Sequence, residues 1–311
     1  MDIALIRTFL QVAATGSFGG AADRLFVTQS AVSLRIQRLE DQLGRSLFTR
    51  SKTGAELTAA GRAFEPHALR LIQTWERARQ QVAIPEGFTG ALTLGAQYSL
   101  WPRLGFRLID GLQRDMPHLS IRAELGMPDR LTGLLAEGSV QLALMYTPTL
   151  RPGLRVEPLL EEDLVMVASW PEPDLSQIAG RYAFVDWGPE FVTWHTARLP
   201  ALTNPGLTLA LGALSAEFIS RREFAAYIPA RSALRYVEAG LLHLVEDAPD
   251  FPYPAYSVWR EDLPSDIADA AQLVLSQVVA AIDEDVHDLV EGEEEGGGEG
   301  GEEDRQVPAE G

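Results

Sequence analysis

The feature that constrains this chain most lies in its first 44 residues, where three short helical segments follow one another with almost no connecting chain. Residues 3–14 place Ile3, Ile6, Leu10 and Ala14 at helical spacing, with Phe9 and Ala13 alongside. Gly16 is a natural stop, and Ser17 a natural N-cap for a second helix from Phe18 to about Leu25. Thr28 then caps a third, TQSAVSLRIQRLEDQLG, which runs to about Leu43 and ends at Gly44. Helix, helix, a two-residue connection and a helix is the helix-turn-helix arrangement. Beyond it, LFTR (47–50) and AELT (55–58) can pair across SKTG (51–54) as a short hairpin, a wing.

The third helix has two unlike faces. At 100° per residue, Val32, Ile36, Leu39 and Leu43 fall on one arc, which is expected to be core. Opposite lie Gln29, Ser30, Ser33, Leu34, Gln37 and Arg38, with Thr28 at the head of the helix. An ordinary solvated face carries Glu and Lys densely, but here Glu40 and Asp41 wait until the helix end. Small hydroxyls, amides and an Arg suit the major groove, where amides read adenine edges and Arg reads guanine. Leu34 is placed to touch a thymine methyl. Arg35 at the flank, and Arg50 and Lys52 in the wing, are placed for phosphates.

The formal charge of −18 opposes nucleic-acid binding only until it is divided along the chain. Residues 1–80 come to about +4, the stretch to 282 to about −10 and the last 29 residues to about −12. Only the basic head suits a polyphosphate.

Thr58 opens a long helical pattern to about Val82, with Leu69 and Ile72 on an apolar stripe and Trp75 beside it. A helix of this length after a small domain pairs with a copy of itself or packs across a linker. Ile84-Pro85-Glu86-Gly87 breaks it. From residue 91 strands alternate with helical stretches: strands at 91–96, 119–125, 140–146, 164–169, 182–187, 207–211, 224–230 and 255–259, helices at 99–114, 128–137, 213–222, 232–239 and 267–282. This pattern indicates parallel sheets with crossover helices, and nearly 200 residues is enough for two α/β lobes. The Glu/Gly-rich tail has no apolar period and is expected to be disordered, a solvated appendage or a mimic of nucleic acid.

Enzymatic readings find little support. There is no cysteine, hence no disulfide, Cys-based zinc site or thiol switch. Histidines 67, 118, 195, 243 and 287 are scattered without metal-ligand spacing, and neither a P-loop nor a G-x-S-x-G elbow occurs. No cofactor or metal is expected, and His195 beside Glu190 reads as structural. The start of the chain does not read as a signal peptide, and no run of about 18 uncharged apolar residues occurs. A cytoplasmic protein without a membrane segment is the simplest expectation.

The stretch ALIRTFLQVAATGSFGGAADRLFVTQSAVSLRIQRLEDQLGRSLFTR (4–50), followed by LTAAG (57–61), resembles the DNA-binding domain of LysR-type transcriptional regulators. DWGPEF (186–191), Trp75 and Tyr98-Ser99-Leu100-Trp101 resemble a subgroup that includes a regulator of flagellar genes. The resemblance implies an N-terminal winged helix-turn-helix (1–60) and a linker and dimerisation helix (61–87). It also implies a two-lobed, periplasmic-binding-protein-like α/β effector domain (88–285), and an acidic disordered tail is left at 286–311. It further implies a homodimer or homotetramer on a pseudo-palindromic operator, an unknown small-molecule effector, and contact with RNA polymerase. Carried over, Gln29, Ser30 and Ser33 face bases. Gln97, Tyr98, Ser99, Met127, Thr147 and Ser215 edge the effector cleft, with an aromatic wall from DWGPEF, Trp194 and His195. Ser99 either only caps the next helix or also presents its N-terminus to an anion. The chain departs from the family at Gly19-Gly20, Leu34, Arg222 and Phe224; Arg222 would pair with an anionic ligand or form a surface salt bridge.

Overall fold

The computed structural model describes residues 2–51 and 54–295, with side chains over 2–49 and 54–282. Helix α1 (Ile3–Thr15) starts on the Asp2 carboxylate, which accepts the Ala4 N–H at 2.8 Å, and stops at left-handed Gly16. Ser17 caps α2 (Phe18–Leu25), and Thr28 caps α3 (Gln29–Leu43), which ends at left-handed Gly44. Strands β1 (Phe48–Ser51) and β2 (Gly54–Leu57) pair antiparallel as the wing. The helices close over Ile6, Phe9, Val12, Ala21, Val32, Ile36 and Leu39, with the Phe9 ring 5.3 Å from Phe48 and 5.1 Å from Phe64. Leu43, expected in this core, is 40% exposed. It sits on the last turn, where Glu40 fastens the helix end instead by accepting the N–H groups of Leu47 and Phe48 at 2.6 and 3.3 Å.

Helix α4 (Ala59–Val82) is capped by Thr58 and so begins within the stretch assigned to the head. It crosses the wing at Gly61, where a Cβ would stand 2.2 Å from the Leu47 carbonyl oxygen. The fully buried Glu76 accepts from Arg7 of α1 and from Arg79 at 2.6 Å, tying the head to the linker helix.

The rest of the chain forms two lobes. Its elements are β3 (Gly90–Ala96), α5 (Phe106–Asp115), β4 (Leu119–Leu125), α6 (Pro128–Glu137), β5 (Leu142–Met145), β6 (Leu154–Leu160), β7 (Asp163–Ala168) and β8 (Ala183–Val185). Then come α7 (Pro189–Arg198), β9 (Leu207–Leu209), α8 (Ser215–Ile219), β10 (Ala225–Pro229), α9 (Ala230–Glu238), β11 (His243–Leu244), β12 (Phe251–Pro252), β13 (Ala255–Arg260) and α10 (Ser265–Glu295). The first lobe carries a sheet in the order β4-β3-β5-β13-β6. In the second, β8 and β9 pair in parallel and Tyr182 bridges to Ala225 of β10; β10 joins β7, which β11 and β12 also pair. The expected parallel pairings are present in both lobes, and antiparallel strands join them. The chain leaves the first lobe along β6 and returns along β13, so β13 runs antiparallel to both β5 and β6.

Within α10, the window Ser265–Ile282 is long and apolar enough to cross a membrane by length and composition, although Asp266 and Asp269 keep it from being an uncharged run. Its stripe Ile267, Ala271, Val274, Leu275, Val278 and Ile282 is buried in the core shared with α5, the packing of a core helix. Val274 seats on Gly111, where a Cβ would come within 2.3 Å. The helix continues to Glu295, into the segment expected to be unstructured, because Ile282, Val286, Leu289 and Val290 prolong the apolar period. The remainder of that tail, 296–311, lies outside the described residues.

Candidate functional site

On α3 the structure gathers most of the sequence-assigned residues onto one surface. Thr28, Gln29, Ser30, Leu34, Gln37 and Arg38 are exposed and Ser33 is half-buried. The Thr28 hydroxyl accepts the Ala31 N–H at 3.2 Å and lies 2.9 Å from the Ser30 hydroxyl, so the entry to the helix is fixed by its own side chains. Arg35 does not stand out for a phosphate. It is half-buried and donates to the Thr8 hydroxyl on α1 at 3.4 Å, because its position lies between the core arc and the open arc. The Gly19-Gly20 pair lies in the first turn of α2, which Ser17 caps. Gly20 N–H donates to Ser17 at 3.2 Å, and a Cβ at Gly20 would stand 3.3 Å from Thr15. Arg50 lies in β1 without a described side chain, and Lys52 lies outside the described residues.

The second site lies between the lobes. Gln97 is buried beyond β3; its N–H bonds the Leu144 carbonyl at 3.1 Å and its Oε1 accepts the Tyr146 N–H at 2.8 Å. Ser99 does not cap a helix. Residues Tyr98–Leu100 form a 3-10 turn and Trp101–Gly105 a π-helical turn before α5 begins at Phe106. The cause is Trp101, whose Nε1 donates to the Ala96 carbonyl at 3.2 Å and whose ring fills the space over Gly105. The chain must wind wide around that ring, and the Ser99 hydroxyl turns to the Tyr146 hydroxyl, 3.0 Å away. The anion-at-a-helix-start reading of Ser99 therefore fails.

Across the cleft, the turn Gly212–Leu214 packs against Tyr98–Leu100. It carries Ser215 at the start of α8, a helix of five residues where ten were expected. Ser215 is 0% exposed and its Oγ has no hydrogen-bond partner. Met127 is exposed at the start of α6, and Thr147 is half-buried after β5. Of the expected aromatic wall, only Trp187 reaches the lobe junction, 5.6 Å from Tyr253. Phe191 and His195 are buried inside the second lobe, with Trp194 half-buried beside them against Phe251 and Tyr227. Burial depresses the His195 pKa. Arg222 stacks on Phe218 at 4.1 Å beside Phe224 and forms no ion pair among the described residues.

Apart from Trp187, sequence reasoning missed the residues at the lobe junction. Tyr146 stacks on Tyr253 at 4.4 Å, Trp187 Nε1 donates to the Tyr227 carbonyl at 2.9 Å, and the Tyr253 hydroxyl donates to the Trp187 carbonyl at 3.3 Å. Glu162, buried on the first crossing, accepts the Tyr253 N–H through its carbonyl at 2.7 Å, and the Arg231 N–H through its carboxylate at 3.1 Å. Burial pushes its pKa up to about 7, against the lowering effect of Arg231. Tyr253 and Arg231 are distant from Glu162 in sequence, so no local signal marks this group. A separate crevice of about 670 Å³ opens between α4 and the first lobe, where Arg77 and Arg260 both pair with Asp262.

A winged helix-turn-helix joined by one long helix to a two-lobed α/β body defines a transcriptional regulator with a sensing domain. Residues 3–62 match the family described as "Bacterial regulatory helix-turn-helix protein, lysR family", and residues 85–279 match the "LysR substrate binding domain". The chain belongs to the LysR family: it is a DNA-binding transcriptional regulator with an effector-binding domain, and not an enzyme. It is 32% identical over 265 residues to the HTH-type transcriptional regulator HdfR of Salmonella newport, a match spanning 84% of this chain and 93% of that protein. HdfR of Salmonella typhi matches to the same extent. Two solved structures share the fold. ArgP from Mycobacterium tuberculosis has a TM-score of 0.53 at 24% identity, covering 90% of this chain and 97% of that one. Full-length LysG from Corynebacterium glutamicum, with bound effector Arg, has a TM-score of 0.52 at 20% identity, covering 90% and 99%.

Proposed function

We propose that this regulator reads a pseudo-palindromic operator through the α3 faces of a homodimer paired along α4, two dimers forming a tetramer. Thr28, Gln29, Ser30, Ser33, Leu34, Gln37 and Arg38 meet bases or the groove wall, and Arg50 and Lys52 meet phosphates. Arg35 sets the angle of α3 against α1 through Thr8. The observation that carries this reading is the exposed arc from Thr28 to Arg38, which holds no acidic side chain. The division into head (1–60), linker (61–87), effector domain (88–285) and tail (286–311) belongs to the same proposal, as do action in the cytoplasm and contact with RNA polymerase.

A small molecule is read at the mouth of the cleft by Gln97, Tyr98, Ser99, Met127, Thr147 and Ser215. Support comes from the buried, unpartnered Ser215 hydroxyl behind the turn that meets Tyr98–Leu100. Binding there shifts the population between relative lobe and subunit arrangements, and so the spacing of the two α3 faces. Substitution separates the DNA roles. Ser33→Ala should relax preference at one position of the site by about 1–3 kcal/mol, whereas Arg38→Ala should also lower affinity where Arg reads guanine. Binding assays on single-base operator variants test this; unchanged discrimination in both would refute the assignment of α3.

A further inference from the structure

Phe26, the residue that turns the chain from α2 into α3, combines two features that bring the isolated fold no benefit. Its side chain is 95% exposed. Its φ of +53° lies in the left-handed region, which among the described non-glycine residues only Phe26 and Glu172 adopt. A glycine or asparagine makes such a turn with less strain, and a polar residue is better hydrated. The turn itself is firmly set. Phe26 N–H reaches the Asp23 carbonyl at 3.3 Å and Val27 N–H the Ala22 carbonyl at 3.1 Å. Leu25 and Val27 on either side pack against the head's core, which leaves the Phe26 ring pointing outward.

The entry of α3 follows directly along the chain. Two residues on, Thr28 caps the helix, and Thr28, Gln29 and Ser30 form the exposed head of the arc described above. Two peptide units span at most about 7 Å, so a duplex touched by Thr28 and Gln29 is within reach of the Phe26 ring. We propose that Phe26 is a DNA-contacting residue, its ring packing on deoxyribose and base edge at the groove wall beside the start of α3. The inference rests on the placement of α3 in the groove. The contact buries apolar surface and neutralises no phosphate, so it adds affinity without adding to the salt dependence that counterion release produces.

The test compares full-length parent, Phe26→Asn and Phe26→Leu on a duplex that the parent enriches from a randomised pool. Binding is followed by fluorescence anisotropy between about 50 and 200 mM salt. Phe26→Asn should bind roughly 5- to 10-fold more weakly and Phe26→Leu less weakly, from the loss of a half-buried aromatic. The slope of log affinity against log salt should not change. Thermal unfolding of Phe26→Asn should match or exceed the parent, since asparagine tolerates the left-handed turn. Parent-like binding by Phe26→Asn, or a loss accompanied by a shallower salt slope, overturns the inference. A parent that enriches no duplex would overturn instead the placement of α3.

Discussion

Replacing Glu162 with Gln should change the pH dependence of stability in a direction that the geometry fixes. The carboxyl is buried on the first crossing between lobes, and its pKa rises from 4.5 to about 7. A carboxyl raised in this way contributes stability that is fully present below the unfolded value of 4.5. That stability is lost as the pH climbs to about 7. At about 1.4 kcal/mol per unit, the loss between about pH 5 and pH 8 is roughly 2–3 kcal/mol. Glutamine keeps an oxygen for the Arg231 N–H at the same position but carries no charge to desolvate. Urea unfolding of parent and Glu162→Gln at the two pH values isolates the effect, because every other titrating group is common to both. The variant should gain on the parent by roughly 2–3 kcal/mol from the lower to the higher pH. Parallel pH profiles would refute the reasoning and place Glu162 in contact with water.

Two further outcomes follow from the packing. Burial lowers the His195 pKa, so the unfolded chain takes up a proton below about pH 6.5 while the folded protein resists it, and stability falls on the acid side. His195→Leu should flatten that decline and, because His195 Nε2 is buried without a partner, cost little at neutral pH; an unaltered acid limb would contradict this. Gly61→Ala should destabilise the head by about 1–3 kcal/mol or more, since its Cβ would meet the Leu47 carbonyl at 2.2 Å and Leu57 Cδ2 at 2.8 Å. Calorimetry should show the head's transition lowered, and an unchanged melt would disprove the close crossing.

The head was legible because its determinants are local. Ser17 and Thr28 cap within three residues, Gly16 and Gly44 stop their helices, and Val32, Ile36 and Leu39 mark the buried arc by period alone. Leu43 shows where the period ceases to inform, since burial at a helix end depends on what overhangs it. Strand β6 escaped notice because Glu157 and Pro158 interrupt its apolar residues, which an edge strand tolerates. The cleft was the least legible part. Ser99 misses its cap because of where the Trp101 ring lies, and Glu162 is buried by Arg231 and Tyr253, about 70 and 90 residues away. Glu76 likewise gave no sign of burial, since its partner Arg7 is 69 residues off.

The most direct test of the central claim is the sequence that the full-length protein selects from a randomised duplex pool. Two α3 faces related by a dyad should enrich an inverted repeat whose half-sites are spaced by about one helical turn, 10–10.5 bp, or a multiple. Ser33→Ala should then enrich the same spacing with a degenerate position in each half-site. An enriched site without dyad symmetry, or a repeat whose half-sites the α3 substitutions leave untouched, would contradict it.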